Sequence, residues 1–293
     1  MKFLVRHLTT YRYTEPVQLS HHAAHLRPRD VDGQQISASS IAIRPEPAVL
    51  QDGGRDYFGN PITFFTIQAP HSTLQIESSF VVETSRQPPL PQITVPSWDS
   101  IRLNSWPGGR GLDESVMDFV FDSPQVPMLA EAAEYAAPSF PPGRLLTEAL
   151  RDLISRIHRD FAFDPKATSV GTPLHTVFHD RRGVCQDFAH VGIACVRAMG
   201  LAARYVSGYI RTIAPPGGEK LVGADASHAW FSVYQPGWGW LDLDPTNNMV
   251  AGEEHIAVAW GRDYDDVSPV RGVVLGGGDH QVIVAVDVVE ASS

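Results

Sequence analysis

The chain has 293 residues, 43% hydrophobic and 19% charged, enough for one large domain or two ordinary ones with a core each; two is the expectation. A formal charge of -10 argues against a nucleic acid as partner, since phosphate binding needs a concentrated basic surface. The N-terminus carries no apolar stretch of signal-peptide length and no run approaches a membrane span, so the expectation is a cytoplasmic protein without a membrane partner.

Residues 1–90 read as a β-rich domain under period-two patterning. Tyr11-Arg12-Tyr13-Thr14, Ile41-Ala42-Ile43-Arg44, Ile62-Thr63-Phe64-Phe65-Thr66-Ile67 and Phe80-Val81-Val82-Glu83-Thr84 are short β-branched or aromatic runs. Asp52-Gly53-Gly54 and Phe58-Gly59-Asn60-Pro61 supply turns between them, which suggests a small antiparallel sandwich or sheet. His21, His22 and His25 cluster like metal ligands, yet no further Cys or His lies nearby at a zinc spacing, and no metal is expected.

Gln87-Pro88-Pro89-Leu90-Pro91 marks a linker, and residues 91–142 read as linker and helical segment, with helical patterns over 112–121 and 126–136. Residues 143–293 form the third unit, a core with C-terminal strands. A helix over 143–160 repeats Leu146, Ala149, Leu150, Leu153, Ile154 and Ile157 at threes and fours and is closed by Pro165, and Thr172-Pro173-Leu174-His175 opens a shorter one. Gly183-Val184-Cys185-Gln186-Asp187-Phe188-Ala189-His190 then places a cysteine at a helix start, where N–H groups favour a thiolate. The helix continues with Val191, Ala194, Cys195 and Ala198 on one face and ends at Gly200, so Cys195 reads as helix core and His190 as structural. Ten residues along a helix is roughly 15 Å of rise, too far for Cys185 and Cys195 to pair, and both are expected as free thiols of a reducing compartment.

Strands follow: Ala203-Arg204-Tyr205-Val206-Ser207-Gly208-Tyr209, then, after a Pro-Pro-Gly-Gly loop at 215–218, Ala229-Trp230-Phe231-Ser232-Val233-Tyr234, and after Gln235-Pro236-Gly237 the run Gly239-Trp240-Leu241-Asp242-Leu243-Asp244-Pro245-Thr246. In an antiparallel hairpin the start of one strand lies beside the end of the next, so His228 should meet the two aspartates. A nucleophile at a helix start, an imidazole and a carboxylate are the parts of a thiol enzyme. Asp242 and Asp244 share one strand parity, and periodicity does not choose between them.

The blocks Gly183 to His190, Asp225-Ala226-Ser227-His228-Ala229-Trp230 and Gly239 to Asn247 resemble, in order and content, the three catalytic blocks of the bacterial transglutaminase-like superfamily. Arg204 to Tyr209 also fits its pattern; His7, Tyr11, Tyr13, Pro16-Val17 and Leu26-Arg27-Pro28-Arg29 resemble its β-rich N-terminal domain, and Gly261 to Pro269 is similar to its tail. The resemblance implies an α+β, papain-like fold with an N-terminal antiparallel β-rich domain, and it selects Cys185, His228 and Asp244 as the triad, with no departure at these positions. It implies attack of Cys185 on an amide carbonyl, proton transfer through His228, a ring oriented by Asp244, and a thioester.

The Cys185 backbone N–H is the first oxyanion donor expected, with the His179 side chain as the second candidate, and Tyr209, Trp230 and Trp240 are candidate substrate-lining residues beside the alternative that they are core. The expected substrate is a peptide or protein amide, without cofactor and, in the absence of an EF-hand loop, without calcium. Water as acceptor gives a cysteine peptidase or amidase, the favoured reading; an amine as acceptor gives a protein-glutamine gamma-glutamyltransferase. A catalytically silent binding or assembly module is the reading from another class. The charged segment Arg262, Asp263, Asp265 and Asp266 reads as a solvated loop or as a rim of the cleft.

Overall fold

The computed structural model describes residues 1–85, 95–102, 114–211 and 227–291; the proline-rich stretch at 87–91, the 215–218 loop and the residues Asp225 and Ala226 lie outside them. The short N-terminal runs belong to longer strands. β1 (Lys2–Ala24) alternates exposed and buried positions from the start, with Phe3, Val5, His7 and Thr9 turned inward. β2 (Gln34–Arg44), β3 (Val49–Arg55), β4 (Pro61–Ile67) and β5 (His71–Thr84) complete one side of it. β5 pairs with the first half of β1, Lys2 opposite Glu83 and Arg12 opposite Thr73, while β4 pairs with the end, Ala24 opposite Thr63. β2 lies outside β5 and β3 outside β4, so the sheet has two halves that share the long β1.

A single turn, α1 (Glu114–Met117), stands where a helix over 112–121 is predicted, and α2 (Ala130–Ala136) begins four residues later than its pattern. Pro124 and Pro127 account for the late start: each removes a backbone donor, and Ser123 and Val126 form an isolated bridge instead. α3 (Leu146–Asp160) buries the predicted stripe. Next come β6 (Ala162–Phe163), α4 (Leu174–Asp180), β7 (Arg182–Gly183) and α5 (Cys185–Ala198). α5 is buried almost all round because it lies between α2, α3 and α4 on one side and a sheet on the other. That sheet runs β11 (Met249–Val250), β10 (Gly239–Asp244), β9 (Ser227–Gln235), β8 (Ala203–Ile210), β12 (His255–Gly261). α5 approaches it closely at Gly192, where a Cβ would overlap the Phe231 ring.

After α6 (Tyr264–Val267), the chain leaves the core. β13 (Val270–Gly276) and β14 (His280–Glu290) return to the N-terminal sheet and cover the second edge of β1, Ala24 opposite Val270 and Phe3 opposite Glu290. The terminal strands therefore complete the first unit rather than the third, because a bare edge along a 23-residue strand would be open to pairing with another chain. One hydrophobic core joins Phe3, Phe80 and Val286 of this sheet to Leu153, Phe188 and Phe231 around α5, and a second lies within the curled sheet around Leu26, Phe65 and Leu74. The architecture is α+β: a papain-like arrangement, a cysteine-bearing helix on an antiparallel sheet, with an N-terminal antiparallel sheet. No helix among the described residues is long and apolar enough to cross a membrane.

Candidate active site

Cys185 is the first residue of α5, half-buried, and its helix start is held by Asp187. The Asp187 carboxylate accepts from the Val184 N–H at 2.8 Å and the Thr168 hydroxyl at 2.6 Å, satisfying one of the donors a helix start leaves unpaired. Burial raises the Asp187 pKa against these two bonds. Gly183 is required beside it, since a Cβ there would lie 2.5 Å from Asp187 Oδ2. Cys195 is fully buried, and burial pushes its thiol up to about 12, which makes it an inert core residue.

β9 and β10 carry the imidazole and the carboxylates. Asp242 and Asp244 do share one face of the sheet, and their place along the ladder separates them. Asp242 pairs with Ser232 and accepts from its hydroxyl; Asp244, two residues on, reaches the start of β9, where His228 Nε2 donates to Asp244 Oδ2 at 2.8 Å. His228 also faces the Cys185 side chain, and the two line the same cavity. With Nε2 committed to Asp244, Nδ1 is the nitrogen left for the sulfur. Burial opposes charge on His228, but the hydrogen bond to Asp244 and the neighbouring Cys185 sulfur outweigh it and raise the imidazole to about 9. Asp244 is buried too, yet bonds from His228, His255 and Asn247 hold it well below the usual carboxylate range.

His255 is the site residue that sequence reasoning missed. Its Nε2–H donates to the same Asp244 Oδ2 at 3.0 Å, and its Nδ1 accepts from the Gly252 N–H at 3.2 Å, which fixes the tautomer. Asn247 adds a side-chain donor to Oδ2 at 2.7 Å and a backbone donor to Oδ1 at 3.1 Å. His255 starts β12, at the opposite edge of the sheet from β11, so a crossover and not a local spacing brings it to Asp244. Of the described residues, only His228, Asp244 and His255 group as a three-ligand set for a metal. Both imidazoles instead aim an N–H at one carboxylate oxygen, a set already complete as hydrogen bonds.

The other candidates fall elsewhere. His179 is not at the site: it lies off the buried Leu174, Val177 and Phe178 face of α4, with its side chain 88% exposed and bonded to Asp180. None of the three aromatic candidates lines the cavity that opens on Cys185. Tyr209 is buried between the sheets, its hydroxyl bonded to His7 Nδ1 at 2.8 Å; Trp230 is buried among Val206 and Ala257; Trp240 stacks on Arg204 in a separate cavity. His21 bonds Thr66, His22 stacks on Phe65 and His25 Nε2 lies 3.1 Å from Asp56 Oδ2, so each ring has a partner of its own around one shallow cavity. His190 accepts the Tyr264 N–H at 3.2 Å and so anchors α6. The charged tail does not rim the cavity: Asp263 is buried and caps α6, the partly exposed Arg262 pairs with Asp266, and the residue of that segment facing the cavity is Tyr264.

Residues 3–83 match the bacterial transglutaminase-like N-terminal region, and residues 136–245 match the transglutaminase-like superfamily. A protein of Mycobacterium tuberculosis (strain ATCC 25618 / H37Rv) is 42% identical over 98% of this chain and 92% of its own length, and one of Mycobacterium leprae (strain TN) is 33% identical over 97% of each. The chain belongs to the transglutaminase-like superfamily. A protein-glutamine gamma-glutamyltransferase of Pseudomonas aeruginosa is 32% identical over 50% of this chain and 23% of its own length. A solved structure of a candidate cysteine protease from Cytophaga hutchinsonii shares the fold, with a TM-score of 0.77 at 20% identity over 100% of this chain and 91% of that one. Superfamily members are cysteine-dependent enzymes.

Proposed function

We propose that the protein is a thiol-dependent acyl-transfer enzyme that hydrolyses a peptide or protein amide through Cys185, His228 and Asp244. The observation that carries this reading is the chain of contacts from the Cys185 side chain to His228 and from His228 to Asp244 at the edge of an open cavity. The sulfur attacks the carbonyl carbon and a C–S bond forms, while His228, protonated below about pH 9, holds on Nδ1 the proton that the leaving amine will take. The tetrahedral oxyanion is met by the Cys185 N–H, one of the first-turn donors that have no partner within a helix. The C–N bond then breaks, His228 gives its proton to the leaving amine, and a thioester remains. Water attacks with His228 as base, a C–O bond forms, the C–S bond breaks and His228 holds its proton again.

Transamidation is the second reading, supported by the gamma-glutamyltransferase among the relatives. The same three residues serve both, and the acceptor decides. Incubation with a glutamine-containing peptide library, with and without a primary amine, and product mass spectrometry separates them: cleaved or deamidated peptide in both arms supports hydrolysis, and an amine adduct as main product overturns it. Two free thiols fit a reducing compartment, and a cytoplasmic location goes with this proposal.

A further inference from the structure

The cavity that opens on Cys185 and His228 has a volume of about 560 Å³, within the size range of ligand pockets. Its two walls come from different sheets. Val184, Tyr205 and Tyr264 belong to the cysteine-bearing core; Thr9 and Tyr11 of β1 and Val282 and Val284 of β14 belong to the N-terminal sheet. No Asp, Glu, Lys or Arg side chain lines it among the described residues. The titratable groups that face it are Cys185, His228, the tyrosines 11, 205 and 264, and His7, which burial lowers to about 4 and so keeps neutral near pH 7.

β14 shows what the cavity lacks. Val288, Val286, Val284 and Val282 lie on one face at period two, with Val284 opposite Thr9 and Val282 opposite Tyr11. The first two are 1% and 0% exposed and belong to the shared core; the next two are 49% and 46% exposed. The aliphatic row thus runs out of the core into the cavity, and its open end is uncovered apolar surface beside the reactive sulfur. A charged group beside Val282 and Val284 would leave water for aliphatic contacts, since the one cationic group of the lining, His228, is already paired with Asp244, whereas an aliphatic group would extend the row.

We infer that this cavity is the acyl-donor subsite for an uncharged aliphatic side chain next to the scissile carbonyl, with Val282 and Val284 as its specificity-determining contacts. The inference rests on the Cys185 reading above and adds the substrate class to it. The N-terminal sheet is then part of the substrate site.

The test uses the full chain and three N-acylated amino-acid chloromethyl ketones, with leucine, aspartate or lysine side chains, which alkylate a cysteine with loss of chloride. Rates at Cys185 are read by intact and peptide mass. The leucine reagent should react at least about tenfold faster than the other two, the scale of discrimination an apolar pocket gives. Taken relative to iodoacetamide labelling of Cys185 in the same variant, V284D should slow the leucine reagent by about tenfold, V284A by less, and V284K should speed the aspartate reagent. Equal rates for the three reagents, with Cys185 still labelled by iodoacetamide, would overturn the subsite and leave the Cys185 reading standing. Failure of every reagent to label Cys185 would overturn both.

Discussion

A sulfur, two imidazoles and one carboxylate form a single line in this molecule, and each makes a separate demand. Cys185→Ala should abolish amide turnover and rapid iodoacetamide labelling, while Cys195→Ala, a change to a buried and inert thiol, should leave both at the parent level; equal labelling of the two thiols in the parent would sink this assignment. kcat/KM should fall as pH rises through about 9, where His228 loses the proton the leaving amine needs. Asp244→Asn removes the charge that raises His228, so the fall should move to lower pH and kcat should drop by roughly 10²–10⁴-fold. Asp242→Asn, at the Ser232 end of the strand, should do neither, and the reverse order of damage would show the wrong carboxylate has been chosen. His255 acts through Asp244 as a positioning residue. His255→Phe should lower kcat, up to ~100-fold for a misplaced group, with KM little changed, and His255→Gln, which keeps an N–H donor, should restore most of the rate. A variant pair with equal kcat would remove His255 from the site. Cys185 and His228 were legible because their type and their place beside a helix start and a strand start suffice; the choice of Asp244 needed family resemblance, since parity put both aspartates on one face. His255 was not legible, because a crossover joins it to Asp244 across the sheet.

The elements that carry these residues were the most legible part of the chain, since α3, α5 and β8 to β10 have strong periods of their own. Where two prolines or a lone turn interrupt the pattern, as before α2 and at α1, periodicity overstated the helix. His179 shows the same limit: likeness to papain-like enzymes offered it as an oxyanion donor, but a helix face decides where a side chain points, and α4 turns it outward. The contact of α5 with β9 is set by Gly192, a glycine inside a helix, where its flexibility costs about 1 kcal/mol relative to alanine. The close Phe231 ring outweighs that gain. Gly192→Ala should therefore lower stability by about 1–3 kcal/mol through overpacking, a fall in Tm by several degrees, instead of the rise expected at an open helical glycine. Adding Phe231→Leu should recover part of the loss, and an unchanged or higher Tm for the single variant would show that the helix and sheet are not held apart by this pair.

At the scale of the whole molecule, the two sheets meet where the cavity beside Cys185 lies, and His7 sits in that seam, Nδ1 to the Tyr209 hydroxyl and Nε2 to Thr9 Oγ1 at 2.9 Å. Neither this seam nor the return of β14 to β1 left a local trace, because Phe3 and Glu290 pair across almost the full chain. Burial lowers His7 in this seam, and His190 and His22 away from it, from 6.5 to about 4, so between those pH values the unfolded chain takes up protons that the folded one refuses, and stability falls as pH falls. Each such group is worth about 3 kcal/mol once pH is below both values, so together they are comparable with a good part of the ~5–15 kcal/mol that holds a typical protein folded. His228 has the opposite sign: raised to about 9, it contributes fully below pH 6.5 and its contribution is lost as pH rises through 9. Thermal melts across pH should therefore peak near pH 6.5–7 and fall on both sides. His7→Gln should flatten part of the acid side, since glutamine keeps a donor and an acceptor in the seam without a proton to gain, and Asp244→Asn should flatten the alkaline side while sparing the acid limb between pH 6.5 and 4, where the Asp244 carboxylate stays ionised in both states. An acid limb of parent steepness in the His7→Gln variant would mean that the junction of the sheets does not govern acid unfolding.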